Sequence, residues 1–543
     1  MMRSVLKEGL VRLAIVSFFG LSLGLSSAEA QEVNLRNANL YYSIPEVKVQ
    51  KPGIPLEISR NYNSRSNAQG VFGYGWVTNL DIVCQEGPDG SILVTDSDGF
   101  VMRFTKDGAS KEALREAYID RLVRVRREDD QSNGTLRQDR WYTNFKRDLM
   151  EQPDLRVKVG MSLPRAWLDA QPGAYISHDR GTERLTKRQD GTYLRVRADG
   201  TRYGFDRTGK LRTLTDAGRR GMRLDYDRDG RLIKVSHTEG GTFSLRWNAN
   251  NRISEILDTT NRRIRYSYDD QGNLLQVNGP DQRQIAYRYD HEHNLTAARE
   301  PDGSSFQVNY DLERDWVTGL KIGESVTSYS WQVEDVHRYS VRVDFPNGSS
   351  ETHRFDEQAH THIIDGQGGR THQLLSECCA KPLEVRDPQG RVTRYDYDQQ
   401  TRLVSVTYPD GSKVRWAYHP TFSKIMQAMY SDGRRFSYQY DDAGNLTRAS
   451  SRGGRTLDLS YGRNGKVDSI TDQEGTVYRF RYDTSGRPTR ISSGEEGALD
   501  IRYGAAGEIA STEIVQGNIQ RSEFYVNLQQ VLALLEPATG EDN

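Results

Sequence analysis

Short runs in which aromatic or apolar residues alternate with polar ones recur along most of the chain, and each run ends in a polar turn sequence. The segment YSYDDQGNLLQV, residues 266–277, shows the pattern. Tyr266 and Tyr268 are two positions apart, so on a strand both side chains project from one face. DDQG fits a type I turn in which the side chain of the first Asp accepts hydrogen bonds from the following backbone amides. Gly272 supplies a left-handed conformation, as in a hairpin that closes with a bulge. Leu274 then restarts a strand. The pattern predicts a β-hairpin.

The hairpin pattern recurs every 21 residues when its copies are aligned on the acidic turn position, with two slips in register. The first series is Asp206, Asp227, Asn248, Asp269, Asp290, Asp311 and Gln332. After a slip of three residues it continues as Asp356, Glu377, Asp398 and His419, and after a slip of one as Asp441, Gly462, Asp483, Gly504 and Tyr525. The preceding residue is usually aromatic. A fixed period of this size predicts a repeat architecture.

The third residue after the aligned position is expected at positive φ, where glycine is favoured. Glycine occupies this position at Gly209, Gly230, Gly272, Gly444, Gly465, Gly486 and Gly507. Asn251 is a tolerable substitute, because Asn enters the left-handed region more readily than most residues. Between Arg314 and Thr401 the position holds no glycine, so less regular turns are expected there.

One hairpin alone is marginally stable, so successive hairpins are expected to pair edge to edge in one long sheet. Because strands twist, a sheet of this length is expected to curl. The predicted fold class is therefore all-β: repeat hairpins wound into a spiral sheet or an open or closed shell, with tyrosines in rows on one face.

A charged stretch interrupts the β pattern before the repeats. In SKEALREAYIDRLVRVRREDD, residues 110–130, Ser110 is a candidate helix N-cap, and Leu114, Tyr118 and Leu122 follow at helical spacing. We interpret 109–180 as a partly helical insertion. A helix packed on the outside of the sheet is favoured over a functional arm.

Composition agrees with many short strands rather than thick helices: 35% of the 543 residues are hydrophobic, and glycine (49) and tyrosine (29) are abundant. The 74 basic and 75 acidic residues give a net charge of −1. This balance provides no basic footprint for nucleic acid, so no nucleic-acid partner is expected.

The N-terminus has the layout of a secretory signal peptide. Basic residues precede the apolar run LAIVSFFGLSLGL, and the small residues Ala28 and Ala30 predict cleavage between Ala30 and Gln31. The alternative, a membrane anchor, is disfavoured because the run is short. No later segment is apolar enough to span a bilayer. We therefore expect an exported protein of the periplasm, cell surface or extracellular space, with no integral membrane segment in the mature chain.

Export places the three cysteines in an oxidising compartment. Cys378 and Cys379 are adjacent, and neighbours rarely bridge each other because the ring is strained. A disulfide from Cys84 to one of the pair is the other intramolecular choice and is expected to link the region before the repeats to the repeats. In the repeat frame, 377–385 aligns with 483–491, which places the cysteine pair at a hairpin tip.

Sequence motifs for chemistry are weak throughout. Acidic turns such as DRDG (227–230) resemble fragments of calcium loops but lack the ordered ligand set, and turn chemistry explains their Asp residues. The histidine cluster comprises His353, His360, His362 and His372; His360 and His362 would share a strand face, yet a solvated face is favoured over a metal site. No nucleophile elbow, H-E-x-x-H or P-loop motif occurs. We expect no catalytic residues, metal or cofactor.

The repeated phrase closely resembles the YD repeat of Rhs proteins, teneurins and the shell-forming components of insecticidal toxin complexes. The segment 53–82 is similar to the region preceding the repeats in bacterial Rhs proteins, through Tyr62-Asn63-Ser64 and Phe72-Gly73-Tyr74-Gly75-Trp76. The resemblance implies a hollow β-shell. Toxin-bearing relatives continue into a self-cleaving core segment and a toxic domain, and neither motif follows Tyr525, so we expect an Rhs-like protein lacking both.

The predicted organisation is a signal peptide at 1–30, an Rhs-type β head at 31–108, the insertion at 109–180, the YD-repeat array at 181–526 and a tail at 527–543. The predicted function is an exported non-enzymatic shell or scaffold that binds or encloses a partner. Alternatives are a surface module that recognises glycan or a neighbouring cell and, less favoured, a glycan-active enzyme. A protein partner or a second copy is expected to close the shell, with the apolar tail segment 531–537 at the contact.

Overall fold

The computed structural model describes residues 30–516, except residues 50, 52, 67, 68, 181, 198, 260, 281–283, 378, 421–423, 443, 463–465, 484–486, 495, 496 and 504–508. Contacts between Cα atoms divide the chain into two compact units. The larger unit contains residues 30–79, 215–398 and 402–516, and the smaller contains residues 80–214 and 399–401.

The elements before residue 215 are strands and one group of helices. The first strands are β1 Ala30–Asn34, β2 Asn39–Val49, β3 Leu56–Asn63, β4 Gln69–Gly70, β5 Gly73–Tyr74, β6 Trp76–Thr78, β7 Val83–Glu86, β8 Ile92–Thr95 and β9 Val101–Lys106. The helices are α1 Lys111–Ser132, α2 Asp139–Glu151, α3 Pro153–Ser162 and a 3-10 turn Pro164–Ala166. Then follow β10 Gly173–Ser177, β11 Glu183–Lys187, β12 Tyr193–Val196, β13 Arg202–Phe205 and β14 Leu211–Thr215.

All described regular elements after residue 215 are strands. They are β15 Gly221–Tyr226, β16 Leu232–His237, β17 Thr242–Trp247, β18 Ile253–Asp258, β19 Arg263–Tyr268, β20 Leu274–Asn278, β21 Gln284–Tyr289, β22 Leu295–Arg299, β23 Ser305–Asp311, β24 Trp316–Ile322, β25 Ser325–Val333, β26 Arg338–Asp344, β27 Ser350–Asp356, β28 Thr361–Gly366, β29 Gly369–Leu375, β30 Pro382–Arg386, β31 Val392–Tyr397, β32 Leu403–Thr407, β33 Lys413–Tyr418, β34 Ile425–Tyr430, β35 Arg435–Tyr440, β36 Leu446–Ser451, β37 Thr456–Tyr461, β38 Val467–Asp472, β39 Val477–Tyr482, β40 Pro488–Ser493, β41 Gly497–Tyr503 and β42 Ile509–Gln516.

In the larger unit each strand from β15 to β42 pairs antiparallel with the next strand in the chain. Strands β1, β2, β3 and β6 form a separate four-stranded antiparallel sheet. The all-β class with repeat hairpins is therefore confirmed. Apolar side chains on one face of the later strands pack together in a buried cluster that includes Val406, Ala428, Ile470 and Ile491.

The predicted turn geometry is confirmed where the structure describes it. In the hairpin of β19 and β20, Ser267 pairs with Gln276 and Tyr268 with Leu274, so the register shifts at a one-residue bulge. Gly272 lies at φ 88°, as a bulge of this kind requires. Positive φ also occurs at Gly209, Gly230 and Gly444 and at Asn251. Gly465, Gly486 and Gly507 lie outside the described residues, and their conformation stays a prediction.

The irregular turns expected between residues 314 and 401 occupy only part of that stretch. From β25 to β29 the strand pairs show no bulge; for example, Val333 pairs with Tyr339 across its turn. The bulge returns in the next hairpins, where Ala380 (φ 52°) and Thr401 (φ 56°) occupy the glycine position. These hairpins therefore keep the left-handed residue without a glycine, at some cost in backbone strain.

The predicted helix is confirmed. Ser110 accepts a hydrogen bond through its side chain from the Ala113 amide (3.2 Å), and α1 begins at the next residue. Tyr118 and Leu122 are buried in a small apolar cluster with Leu149 of α2. No described helix is both long and apolar enough to cross a membrane.

The predicted domain boundaries differ from the observed units. The boundary between the units falls within the predicted head: residues up to 79 belong to the larger unit, and residues 80–108 belong to the smaller one. Within the predicted insertion 109–180, β10 at Gly173–Ser177 pairs with β9 of the head and with β11. Of the cleavage-site residues, Ala28 lies outside the described part of the chain, whereas Ala30 and Gln31 begin β1 opposite Ser43 and Tyr42.

The predicted link from Cys84 to the cysteine pair is wrong. Cys84 is a free, buried thiol on β7, whereas Cys379 is disulfide-bonded in the connection between β29 and β30. Burial raises the pKa of the Cys84 thiol to about 12, with Glu86 adding to the effect. Cys84 is thus an inert residue of a sheet interior. Cys378 lies outside the described residues.

Candidate functional site

The acidic position of each repeat organises its own turn. In the hairpin of β15 and β16, Asp227 accepts hydrogen bonds at Oδ1 from the amides of Asp229 (3.0 Å) and Arg231 (2.8 Å). Its Oδ2 accepts from Nε of Arg231 at 2.7 Å. These bonds, the backbone amide of Arg231 first, hold the pKa of Asp227 below its usual range. The carboxylate oxygens are used within the turn, as the turn interpretation of DRDG requires.

A second side chain, four positions after the aligned acid, also binds the carboxylate of the turn. This contact was not predicted from the sequence. This side chain donates to the same carboxylate in hairpin after hairpin; the donors include Arg231, Arg402 and Arg487, and also Asn273, Asn294 and Asn445. The recurrence of Arg or Asn four positions after the aligned acid was the available signal. Turn and side-chain pair form one local unit.

The aromatic residue before the acid joins each hairpin to the preceding one. The Tyr440 hydroxyl donates to the carbonyl of Ile425 at 2.7 Å, and Ile425 is the first residue of β34. The same bond, reaching back 14 or 15 residues, is made by Trp247, Tyr268, Tyr310, Trp331, Tyr418, Tyr461, Tyr482 and Tyr503. Burial raises the pKa of Tyr440, so the hydroxyl remains a donor. The repeated phrase is therefore a structural connection.

A buried polar cluster connects the head to the repeats within the larger unit. Arg60 of β3 has no solvent exposure and donates from Nε to Glu46 of β2 at 2.5 Å. Its Nη2 donates to the Tyr287 hydroxyl at 2.9 Å, and the Tyr266 hydroxyl donates to Glu46 at 2.8 Å. Burial opposes the charge on Arg60, but Glu46 and the tyrosines outweigh it and raise the pKa. The guanidinium lies 4.2 Å from the Trp76 ring centroid.

Further head residues contact the same repeats. Trp76 Nε1 donates to the Tyr289 hydroxyl at 2.8 Å, and the Tyr62 hydroxyl accepts from the Leu295 amide at 2.9 Å. Tyr42 donates to Glu300. Both motifs that carried the resemblance, around Tyr62 and Trp76, are thus contacts between the head and strands β21 and β22. They position the head on the repeats.

A second group of side chains is partly open to solvent. Following the cross-strand pairs from β25 to β28, one face of the sheet carries Tyr329, Trp331, Tyr339, His353, Phe355 and His362, which we call the aromatic–histidine face. The rings of Tyr339 and Phe355 stack at 5.1 Å, and those of Phe355 and His362 at 4.3 Å. His353 and Phe355 are buried, and the other four are half-buried.

The structure brings together a different histidine pair from the predicted one. His353 Nδ1 lies 3.0 Å from His362 Nε2, and His362 Nδ1 lies 3.1 Å from Gln373 Oε1. His360 stands in the turn before β28 at φ 51°, so it does not share a strand face with His362 as predicted. Among the described residues no group of three His, Cys, Asp or Glu is placed to hold a metal.

Protonation of this histidine pair is expected to destabilise the fold. Burial lowers the pKa of His362 to about 4 and lowers that of His353; Glu351 opposes the shift at His353, and Arg36 adds to it at His362. Between pH 4 and the ordinary histidine value near 6.5, the unfolded chain binds protons that the folded chain does not. Stability is therefore expected to rise with pH across this window and to be lost as the pH falls.

The measurement is the urea midpoint of unfolding at pH 5 and pH 7. His362→Gln is expected to reduce the difference between the two midpoints, because it removes the buried titrating group. His291→Gln, an exposed site, provides the control and should leave the difference unchanged. Equal pH dependence in His362→Gln and the unmodified protein would contradict the pKa shift.

Two family models match the chain. Residues 30–104 match the domain of unknown function DUF6531, and residues 247–284, 268–305 and 381–413 match the RHS repeat. The first two RHS matches begin at Trp247 and Tyr268, one period apart, and both residues make the interhairpin hydrogen bond described above.

Similar proteins share limited segments with this chain. Double-stranded DNA deaminase toxin A of Burkholderia cenocepacia (strain H111) is 31% identical over 105 residues, which are 19% of this chain and 7% of that protein. Teneurin-m of Drosophila melanogaster is 24% identical over 128 residues, 24% of this chain and 4% of that protein. The chain therefore aligns with a small fraction of these relatives.

Solved structures with a similar course of the chain include the crystal structure of TcdB2-TccC3, with a TM-score of 0.40 and 14% identity, covering 61% of this chain and 24% of that one. The crystal structure of TcdB2-TccC3-Cdc42 has a TM-score of 0.38 and 12% identity, covering 92% and 35%. The DUF6531 match over the head and the RHS matches in register with the observed hairpins support an Rhs-type YD-repeat protein.

Proposed function

We propose that the protein is an exported, non-enzymatic scaffold that binds or encloses a protein partner through the aromatic–histidine face. The supporting observation is a change in burial along one face of the repeat sheet. In β19 and β21 this face is covered by the head, and Tyr266 and Tyr287 are buried. In β25 to β28 the rings of Tyr329 and His362 remain half-buried.

The chemistry of this face suits a protein ligand. Aromatic side chains are enriched in the cores of protein interfaces, where they provide large contact areas with little loss of rotamer entropy. The head contacts this face through Arg36, which lies 5.2 Å from the Phe355 ring centroid, and through Leu35, which packs against the same apolar cluster. Strands β25 to β28 also lack the regular bulged turns. These unbulged hairpins carry a contiguous group of half-buried aromatic and histidine side chains. Half-buried tyrosines such as Tyr395 also occur in the bulged hairpins, where they pack against the apolar cluster of the later strands.

An assembly with a second copy or a separately encoded chain follows from this proposal. The apolar tail 531–537, expected at that contact, lies outside the described residues. Export rests on the N-terminal sequence pattern, and residues 1–29 also lie outside them. The experiment that identifies the partner therefore uses residues of the aromatic–histidine face.

Site-specific photo-crosslinking in the native host tests the proposal. A photoreactive phenylalanine analogue replaces Tyr329, on the aromatic–histidine face, or Ser330, the next residue on the opposite face of β25. We expect one discrete protein adduct from position 329 and none from position 330. No adduct from position 329, or the same adduct from both positions, would argue against this face as the binding surface.

A further inference from the structure

A cavity of about 390 Å³ lies on the hairpin of β35 and β36, away from the aromatic–histidine face. Arg435, Ser437, Ser450, Ser451 and Arg452 line it. Ser437 pairs with Ser450 across the hairpin, whereas their neighbours Tyr438 and Ala449 belong to the buried cluster on the other face. The cavity therefore opens on the face of the sheet opposite its apolar core.

Two arginines stand opposite each other at this cavity. The backbone amide of Arg452 donates to the carbonyl of Arg435 at 2.9 Å, so the two residues are cross-strand neighbours. Like charges in this arrangement are destabilising. Within the described part of the chain neither guanidinium has a carboxylate partner, although Arg434 pairs with Asp432 at 2.6 Å. The repulsion is left without a compensating anion.

The neighbouring hairpins show that the repeat does not require this pair of charges. The corresponding cross-strand position holds Lys413 and Ser431 in the preceding hairpin, where the Ser431 amide donates to the Lys413 carbonyl at 2.8 Å. In the following hairpin it holds Thr456 and Gln473, and the Thr456 amide donates to the Gln473 side chain at 3.3 Å. Both hairpins fold with at most one cation at this position.

We propose that this cavity binds an oxyanion group, sulfuryl or phosphoryl, carried as an ester on a small molecule. Guanidinium groups form paired, charge-assisted hydrogen bonds with such oxygens. The Ser437 hydroxyl accepts from Gln427 Nε2 at 3.4 Å and retains its own proton to donate, whereas the Ser450 hydroxyl donates to the Ser437 carbonyl at 3.4 Å. The volume lies within the range of small-molecule sites and exceeds the needs of an inorganic anion, which points to an ester.

Calorimetric titration of the full chain tests the proposal. The probes are inorganic sulfate, inorganic phosphate, glucose 6-sulfate and glucose 6-phosphate, with glucose as the uncharged control and chloride holding the ionic strength constant. We expect saturable binding of at least one ester, tighter than binding of the matching inorganic anion, and no binding of glucose. The tighter ester identifies the group.

Variants built from the neighbouring hairpin separate binding from folding. Arg435→Thr with Arg452→Gln introduces the residues of the next hairpin and is expected to weaken ester binding at least about tenfold, because it removes the charge-assisted bonds. Its melting temperature without anion should not fall, since the repulsion is relieved. Arg434→Ala, which removes a paired arginine of the same turn, should bind as the unmodified protein does. Absence of saturable ester binding, or equal binding by the double variant, would overturn the proposal.

Discussion

Replacing Arg60 by methionine is expected to lower the free energy of unfolding by about 3–5 kcal/mol, because it leaves Glu46 buried without its cation. Arg60 is fully buried, and its guanidinium also donates to Tyr287 and stacks on Trp76. The substitution would loosen the head from the repeats in a single step. Urea unfolding followed by tryptophan fluorescence measures the change.

The control for Arg60 is an exposed ion pair in the same sheet. Lys48 of β2 and Glu57 of β3 lie 3.0 Å apart with Lys48 well exposed, so Lys48→Ala should cost less than about 1 kcal/mol. Adding Glu46→Met to Arg60→Met should restore part of the loss, because replacing a buried pair by apolar residues avoids an unpaired charge. If Arg60→Met costs no more than Lys48→Ala, the cluster does not hold the head in place.

Replacing Gly209 by alanine is expected to cost roughly 2–4 kcal/mol, the sum of backbone strain and overpacking. Gly209 lies at φ 79°, and a Cβ there would overlap the carbonyl oxygen of Cys84. The two residues are joined by a hydrogen bond from the Cys84 amide to the Gly209 carbonyl at 2.9 Å, so neither strand can withdraw freely. This contact lies within the smaller unit.

Gly272 is the matched control for Gly209. It has the same role in its turn and lies at φ 88°, but the nearest side-chain atom to a Cβ there is 3.6 Å away, at Arg252. Gly272→Ala should therefore cost about 1 kcal/mol from backbone strain alone, and Gly272→Val somewhat more. Equal melting temperatures for the alanine variants at 209 and 272 would show that the approach of Cys84 is not close.

The hairpins and the helix could be predicted from the sequence because their causes are local. Alternation around Tyr266 and Tyr268, the acid that caps its own turn and the glycine at positive φ all act within about ten residues. The same holds for Ser110 at the start of α1. Local causes of this kind leave a readable pattern in one chain.

The long-range contacts could not be predicted in this way. The bond from Tyr440 to Ile425 depends on the strand register, although the recurring choice of Tyr or Trp hinted at a donor. The repeat residues of the buried polar cluster lie far from the head residues along the chain: Tyr287 is 227 positions from Arg60, and Tyr266 is 220 positions from Glu46. No spacing rule relates them. The expected Cys84 disulfide failed for the same reason: the sequence does not show that Cys84 is enclosed between β8 and the turn at Gly209.

Departures from the repeat are informative once the repeat itself is explained structurally. Three residues recur from hairpin to hairpin in this chain, and each has a structural role: the turn acid, the Arg or Asn that follows it and the aromatic donor that precedes it. The places that depart from this pattern are the unbulged hairpins β25 to β28 and the opposed arginines at 435 and 452. Such local exceptions are where binding sites are expected.

Hydrogen exchange measured by mass spectrometry tests the proposed scaffold role most directly. The protein is compared alone and within the assembly recovered from its host through the position-329 adduct. We expect slower exchange in the assembly for amides of residues 325–366, which carry the proposed binding surface. Amides of β15 to β18, which lie outside that surface, should change little. Protection confined to strands outside 325–366 would contradict the assignment of the aromatic–histidine face as the surface that binds the partner.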